Sequence, residues 1–427
     1  MSATVLSAVR GAREATLVRA LGGSPRLEVT RRCADLAELL AAAAAGLGRL
    51  AVVSASLPGL DRAAVDHLRA SGVLVLGLGD DDWPAERVVA LGVDGVAGPD
   101  DPVDAIVDLA QGLLSGSARG PSGPTLAEGP PGASRPGGSP DVLGPGASPG
   151  IPVAGRVVAV WGPTGAPGRT TLALTLASEL CALTRRTGSV LLVDADTYGG
   201  CVAQALGMLD EAPGIAAAAR AAATGRLDAA GLAALTPLLG NGLRVLTGIS
   251  RAARWPELPA AHLALVWSAA RDLAAWTVID CGFGIEQDEA LSYDTRAPQR
   301  NAATLSALAE ADLAIVVGRG DPIGLQRLVR SLGDLDDLGT PAARRWVVVN
   351  RVRASASGSR PRQVVRDALR RYAGVDAHLI PEDQPSCDGA VLAARTLTEH
   401  APGSPARRAV VELATEVLSS DVPAGAH

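Results

Sequence analysis

Val157 to Leu180 reads VVAVWGPTGAPGRTTLALTLASEL. The apolar run Val157 to Trp161 has the length of a buried strand, and a long apolar-periodic segment follows it. Between them lies a turn of Gly, Pro and Thr that ends Gly168-Arg169-Thr170-Thr171. Strand, glycine-rich turn and helix in that order gather successive backbone N–H groups into one concavity, and the helix N-terminus adds partial positive charge. Gly165 and Gly168 supply the permissive dihedrals, and Thr170 stands where a hydroxyl ligates Mg²⁺. Phosphate-binding loops of this kind end in Gly-Lys-Ser/Thr, whereas here Arg169 takes the lysine's place. Arginine keeps the charge but is longer, planar and forked, so the exchange is not conservative at a point-charge site. Taken alone, the stretch reads equally well as an ordinary turn.

Two more strand ends bear on the choice. Ser189 to Gly200, SVLLVDADTYGG, is an apolar run ending in Asp194 and Asp196. Alternate residues at a strand end point the same way, so both carboxylates can face one magnesium and one water. Trp276 to Glu286, WTVIDCGFGIE, is another apolar run, ending in Asp280 and a glycine-containing loop. Each aspartate by itself reads as a helix cap or loop residue. Together, Gly-Arg-Thr, Asp-x-Asp and Asp-x-Gly at three strand ends would converge on one edge of a parallel sheet, where such folds bind ligands.

The chain of 427 residues is long enough for two or three domains, and 48% hydrophobic residues can fill their cores. Only 2% are aromatic, so Ala, Leu, Val and Gly make the interior. All 39 basic residues are arginine, so Arg169 belongs to a chain-wide absence of lysine. Residues 1–114 carry ten Arg against fifteen Asp and Glu, a balance of −5 out of −6 for the whole chain, which does not point to a nucleic-acid-binding protein. The N-terminal stretch lacks the apolar region of a signal peptide, and no run of about 18 apolar residues exists. Five scattered cysteines show no metal spacing. A cytoplasmic location is expected.

From Ser115 to Gly155 the composition turns to Gly, Pro, Ser and Ala, which predicts a flexible linker over 115–155. It divides residues 1–114 from a larger domain over 156–420, with 421–427 as a tail. Apolar runs alternate with helical patterns on both sides, so two α/β domains with doubly wound, mostly parallel sheets are expected. In the larger domain strands are predicted at Arg156–Trp161, Ser189–Asp194, Leu243–Thr247, Trp276–Asp280, Ala314–Val317, Arg345–Asn350 and His378–Ile380.

The larger domain resembles the MinD/ParA group of P-loop ATPases. Their deviant loop, Lys-Gly-Gly-x-Gly-Lys-Thr-Thr, is matched by Thr164-Gly165-Ala166-Pro167-Gly168-Arg169-Thr170-Thr171. LLVDAD, VIDCGFGIE, LAEADLAIVVGRGDPIGLQRLVRSL, VVVNRV and LIPED match further family segments in order. The resemblance implies ATP or ADP with Mg²⁺ as cofactors. It assigns Gly165 to Thr171, Asn350, Arg351 and Pro381 to the nucleotide, and Thr170, Asp194 and Asp280 to Mg²⁺. It gives Asp196, Asp194 and Arg169 the catalytic roles. Two departures stand out: the family's signature lysine falls on Thr164 and its loop lysine on Arg169, which puts fast hydrolysis and lysine-bridged dimerisation in doubt.

Residues 1–114 resemble a response-regulator receiver domain around AVVSASLPGLDRAAVDHLRASGVLVLGL. The phospho-acceptor position falls on Ser54, the conserved lysine on Gly98, and the acidic pair on SAVRG, so a pseudo-receiver is implied. A pseudo-receiver, a linker and this ATPase domain together resemble the CpaE/TadZ branch, which positions Flp/Tad pilus machinery and has relatives called septum-site-determining. That resemblance implies protein partners at the pole or septum and a homodimer. Arg344 to Tyr372 holds nine arginines, read as a solvated face plus base-site residues, with DNA not expected as partner. The segment PARRAVVELATEVLSS predicts an amphipathic helix whose Glu412 and Glu416 and lack of aromatics favour packing on its own domain over lipid. A catalytically dead scaffold, a DNA-associated partitioning ATPase and a metabolic P-loop enzyme are the competing readings.

Overall fold

The computed structural model describes residues 2–11, 13–80, 83–116, 154–165, 168–185, 188–208, 214–287, 298–339 and 345–420. They fall into two compact units, Met1–Val153 and Ala154–His427. The expected linker lies mostly outside the described residues, as does the expected tail.

In the first unit, short apolar runs become strands because their alternate side chains bury on both faces of a parallel sheet. The strands are β1 (Ala3–Ala8), β2 (Leu27–Arg32), β3 (Leu50–Ser54), β4 (Leu74–Leu78) and β5 (Gly95–Ala97). Helices α1 (Arg13–Gly23), α2 (Leu36–Ala44), α3 (Arg62–Ala70), α4 (Ala85–Val89) and α5 (Val103–Ser115) alternate with them. The all-parallel order β2-β1-β3-β4-β5 is that of flavodoxin-like sheets. Leu39, Val53 and Leu68 centre the core on one face, and Leu17, Leu50 and Ile106 on the other. At the strand ends, Ser54 is buried and its hydroxyl accepts from the Arg10 amide at 2.9 Å. The Arg13 side chain donates to the Gly98 and Asp101 carbonyls.

The second unit has strands β6 (Arg156–Trp161), β7 (Val190–Ala195), β8 (Arg244–Leu246), β9 (Trp276–Cys281), β10 (Leu313–Arg319), β11 (Arg345–Val352) and β12 (His378–Pro381). They pair in parallel in the order β12-β11-β10-β6-β9-β7-β8. The helices are α6 (Arg169–Thr184), α7 (Val202–Ala205), α8 (Gly214–Ala223), α9 (Ala229–Leu235), α10 (Ala260–Leu273) and α11 (Ala302–Glu310). They continue with α12 (Pro322–Asp337), α13 (Ala354–Ser357), α14 (Pro361–Ala373), α15 (Gln384–Leu392), α16 (Leu397–His400) and α17 (Pro405–Ser419). One face of the sheet packs on α8, α10, α11, α12 and α14, the other on α6 and α17.

Helix α6 is buried on every side from Leu172 to Cys181, which explains an apolar sequence with few polar breaks. Its Glu179 is 1% exposed and is held by Arg407 Nε at 2.6 Å, Arg407 Nη2 at 3.1 Å and the Thr398 hydroxyl at 2.7 Å. Arg407 lies on α17, whose Val410, Leu413, Ala414 and Val417 are buried in the core that includes α6. The predicted apolar stripe of this helix therefore faces its own domain.

Candidate functional site

The register of the sheet sets the site. Val160 on β6 pairs with Asp280 on β9, and Asp280 pairs with Asp194 on β7, so one row crosses three strand ends. Side chains at paired positions point to the same face. Here that is the face covered by α6, because Val160, Val278 and Leu192 belong to the core shared with that helix.

Between β6 and α6 runs the glycine-containing loop. Gly168 is the N-cap of α6 in a left-handed conformation, φ 95°, and no side chain caps the helix there. The first N–H groups of α6 are therefore left for a ligand or water. The φ of Gly168 favours glycine, and a Cβ there would displace the end of the Asn350 side chain, 2.2 Å away at Nδ2. Gly165 sits at φ 71°, and a Cβ there would displace the end of the Arg327 side chain, 2.0 Å away at Nη1. Ala166 and Pro167 of the predicted set lie outside the described residues.

The three aspartates differ in how they are satisfied. Asp194 Oδ1 accepts from the Asp196 amide at 3.2 Å and Oδ2 from the Val202 amide at 3.1 Å. Gly200 and Gly248 close around it so tightly that a Cβ on either would come within 2.8 Å of the carboxylate. Asp196 Oδ1 accepts from the Tyr198 and Gly199 amides, and its Oδ2 lies 3.6 Å from Arg169 Nη2. Asp280 is fully buried, and neither carboxylate oxygen meets a hydrogen-bond donor in good geometry. Burial first, then the neighbouring Asp194, pushes its ionisation well above the usual carboxylate range, while the Thr170 hydroxyl and Arg169 pull the other way. A buried carboxylate without a hydrogen-bond partner, beside a threonine and a second acid, is a place that a bound cation would stabilise.

Those residues fit Mg²⁺. Among the described residues no three His, Cys, Asp or Glu side chains converge to hold a metal by themselves. Mg²⁺ needs fewer, since it is normally held by one or two carboxylates plus phosphate oxygens and waters. Asp280, Asp194 and the Thr170 hydroxyl would supply the protein's share.

Arg169 does not stand free. Its Nη1 donates to the Gly162 carbonyl at 2.9 Å and to the Pro163 carbonyl at 3.3 Å, its Nη2 faces Asp196, and its buried Nε has no partner. Beside it, a cavity of about 390 Å³ is lined by Gly168, Thr170, Asp196, Tyr198 and Phe283. On the other flank of the loop a narrow cavity of about 50 Å³ brings Gly168 and Thr171 together with Asn350, Arg351 and Pro381. Arg351 sits at φ 54°, a conformation that costs a non-glycine residue energy and recurs at ligand sites.

Two residues at the site escaped sequence reasoning. Gly248 follows β8, with no motif to mark it. Cys201 opens α7, and its thiol faces Thr170; partial burial, then Asp194 and Asp280, push its ionisation up. The residue's remaining surface is open to solvent.

Seven parallel strands, a glycine-containing loop leading into an uncapped helix, and acids on two adjacent strand ends define a P-loop type of α/β domain. The chain is similar in fold to a ParA family ATPase from Chlorobium tepidum TLS, at 18% identity and a TM-score of 0.52 over 62% of this chain and 99% of that one. It also aligns with the cell division ATPase MinD of Pyrococcus furiosus, at 20% identity and a TM-score of 0.48 over 62% and 98%. A third is the septum site-determining protein MinD of Pyrococcus horikoshii OT3, solved with Mg-ADP, at 21% identity and a TM-score of 0.47 over 63% and 98%. No protein-family model matches the chain, and no curated protein matches it.

Proposed function

We propose that this protein is a nucleotide-dependent spatial organiser of the MinD/ParA class, which binds ATP or ADP with Mg²⁺ and turns ATP over slowly or not at all. The observation that carries the reading is Asp280, an unpartnered buried carboxylate beside the start of an uncapped helix. The N–H groups of Gly165 and Gly168 to Thr171 would cradle phosphates, and Asn350, Arg351 and Pro381 would flank the base. Thr170, Asp280 and Asp194 would hold Mg²⁺, which supplies charge neutralisation at the phosphates when bound. Asp194 is fixed in place by two backbone amides, one on each oxygen, which leaves a lone pair on each for Mg²⁺ or a water.

Slowness follows from the cations. Arg169 is tied to two carbonyls and to Asp196, so the residue that would orient water and the residue that would stabilise transferred charge neutralise each other. Thr164 has no charge to send to a partner's phosphates. A lost charged donor commonly costs on the order of a hundredfold to a thousandfold in rate. The same tie favours a second reading, a scaffold of this fold that acts through protein partners alone.

The domain plan of the proposal is 1–114, a linker over 115–155, the nucleotide domain over 156–420 and a tail over 421–427. The first unit serves as a pseudo-receiver: its flavodoxin-like strand order and the use of the Ser54 hydroxyl in binding the Arg10 amide support an interaction module without phosphoryl chemistry. By resemblance to the CpaE/TadZ branch, the partners are proteins of pilus assembly or division at the pole or septum, and the nucleotide state controls a homodimer. Membrane attachment is indirect, because α17 spends its apolar face on the core and no described helix is long and apolar enough to cross a membrane. DNA is a poor candidate partner, since Arg345, Arg353 and Arg370 of the arginine-rich stretch are already paired with Asp336, Glu382 and Asp376.

The test is calorimetric titration of the full chain with ATP and ADP, each with Mg²⁺, together with phosphate release. Binding of both with slow release is expected. Arg169→Ala should weaken binding, and Arg169→Lys should raise turnover. No affinity at millimolar ATP, with neither variant changing anything, would hand the function to the scaffold reading.

A further inference from the structure

Two arginines reach the loop between β6 and α6, and they are held very differently. Arg169 is 15% exposed in its side chain and has three polar neighbours, the Gly162 and Pro163 carbonyls and Asp196. It is already neutralised and sits behind the loop's first residues. Arg327 comes from the second turn of α12 and is exposed. Its Nη1 donates to the Thr164 carbonyl at 3.3 Å, the long end of the hydrogen-bond range, and among the described residues no carboxylate is paired with it. Its guanidinium lies directly on Gly165, on the side where a Cβ would project.

The helix that carries it is well anchored. Asp321 caps α12 by accepting from the Gly324 amide at 2.9 Å. Just before it, the Gly320 amide donates to the Asn350 carbonyl at 2.8 Å, which ties the start of α12 to the strand that presents Asn350. Arg327 is thus a loosely satisfied cation on a fixed base, over the loop that leads into the uncapped start of α6.

We infer that Arg327 is the working cation of this loop: it contacts the phosphate chain of the bound nucleotide from the α12 side, in place of the loop lysine that the chain lacks. The inference rests on the nucleotide reading above. The exchange is favourable on bonding grounds, because a long bond to a neutral carbonyl is given up for charge-assisted bonds to phosphate oxygens, which are shorter and about twice as strong. It also assigns the two arginines separate duties: Arg169 braces the start of the loop, and Arg327 meets the ligand.

Calorimetric titration of the full chain with ADP and with inorganic pyrophosphate, each with Mg²⁺, tests it on three variants. Arg327→Ala and Arg327→Gln should each weaken both ligands about tenfold, the lower end of what loss of a hydrogen bond to a charged group costs. Arg327→Lys should stay within about threefold of wild type, because it keeps the charge, and the alanine loss should shrink as salt is raised. Glutamine keeps a donor for the Thr164 carbonyl but no charge. Full affinity in Arg327→Gln with loss in Arg327→Ala would make the residue a brace and overturn the assignment. Affinity within twofold of wild type in Arg327→Ala would overturn it outright while leaving the nucleotide reading standing. A wild-type protein that binds neither probe would overturn both.

Discussion

Asp280→Asn should make the ligand-free protein more stable and make it indifferent to Mg²⁺. In parallel strands about 4.8 Å apart, the paired carboxylates of Asp194 and Asp280 repel each other. At an effective dielectric of 20 and roughly 5 Å, two unit charges interact by about 3 kcal/mol. Arg169 offsets part of this, so a net gain of about 1–2 kcal/mol is expected on removing the charge. For a unit of this size that corresponds to a melting shift of roughly 2–8 °C. Burial and Asp194 raise the Asp280 carboxyl's ionisation well above its unfolded value. The wild type is therefore penalised least at acid pH, where the group is protonated in both states, and increasingly as pH rises above the unfolded value, until the folded-state group ionises as well. The gap between variant and wild type should open from about pH 4 towards neutrality. Five of the six tryptophans lie in the second unit, so thermal melting followed by tryptophan fluorescence reports chiefly on it. Adding ADP with Mg²⁺ should raise the wild-type transition further than ADP alone, and in the variant Mg²⁺ should add nothing to the shift with ADP. A variant that melts below wild type without ligand at pH 7, or that gains the full Mg-ADP shift, refutes the reasoning.

Arg407→Ala should leave Glu179 buried without its ion-pair partner. Breaking a buried pair costs about 3–5 kcal/mol, and the Thr398 hydroxyl and Arg407's partial exposure reduce that to about 2–3 kcal/mol, read as a lower urea midpoint in fluorescence. Acetyl phosphate with Mg²⁺ should place no phosphoryl group on residues 1–114, because Ser54 is not a carboxylate and its hydroxyl is already engaged; intact mass spectrometry of the treated protein decides.

The strands were the most legible part of the chain, because each is an apolar run bounded by polar or glycine-rich turns. β6 falls on Arg156–Trp161 as predicted, and the others differ by a few residues at their ends. Helices α8 and α9 are harder to bound from sequence, since a stretch dominated by alanine offers little contrast between faces, although Ile215, Ala216, Ala218 and Ala219 all bury. Asp194, Asp196 and Asp280 could be proposed from strand ends alone, but Asn350 and Pro381 needed a resemblance. Their place beside Gly168 comes from strands 180 or more residues further along. The tie between Arg169 and Asp196 could not be read at all, because it depends on how two loops approach. Arg327 stands on a helix with no motif of its own to single it out. What marks it is the absence of a Cβ on Gly165, which a linear sequence records without saying why.

The bond between Glu179 and Arg407 spans 228 positions, and it joins the central helix of the second unit to the helix that covers it. During synthesis at roughly 5–20 residues per second, the outer side of α6 waits on the order of 10–45 s for α17 to be made. Through that interval the core that α6 shares with Val410, Leu413, Ala414 and Val417 lacks those four residues. The unit therefore behaves as a late-closing fold: its glycine-containing loop and the strands beside it exist on the ribosome well before the last layer arrives. Any holdase that recognises apolar helix surface has a defined window in which to act, and that window ends when Val410 to Val417 pack down.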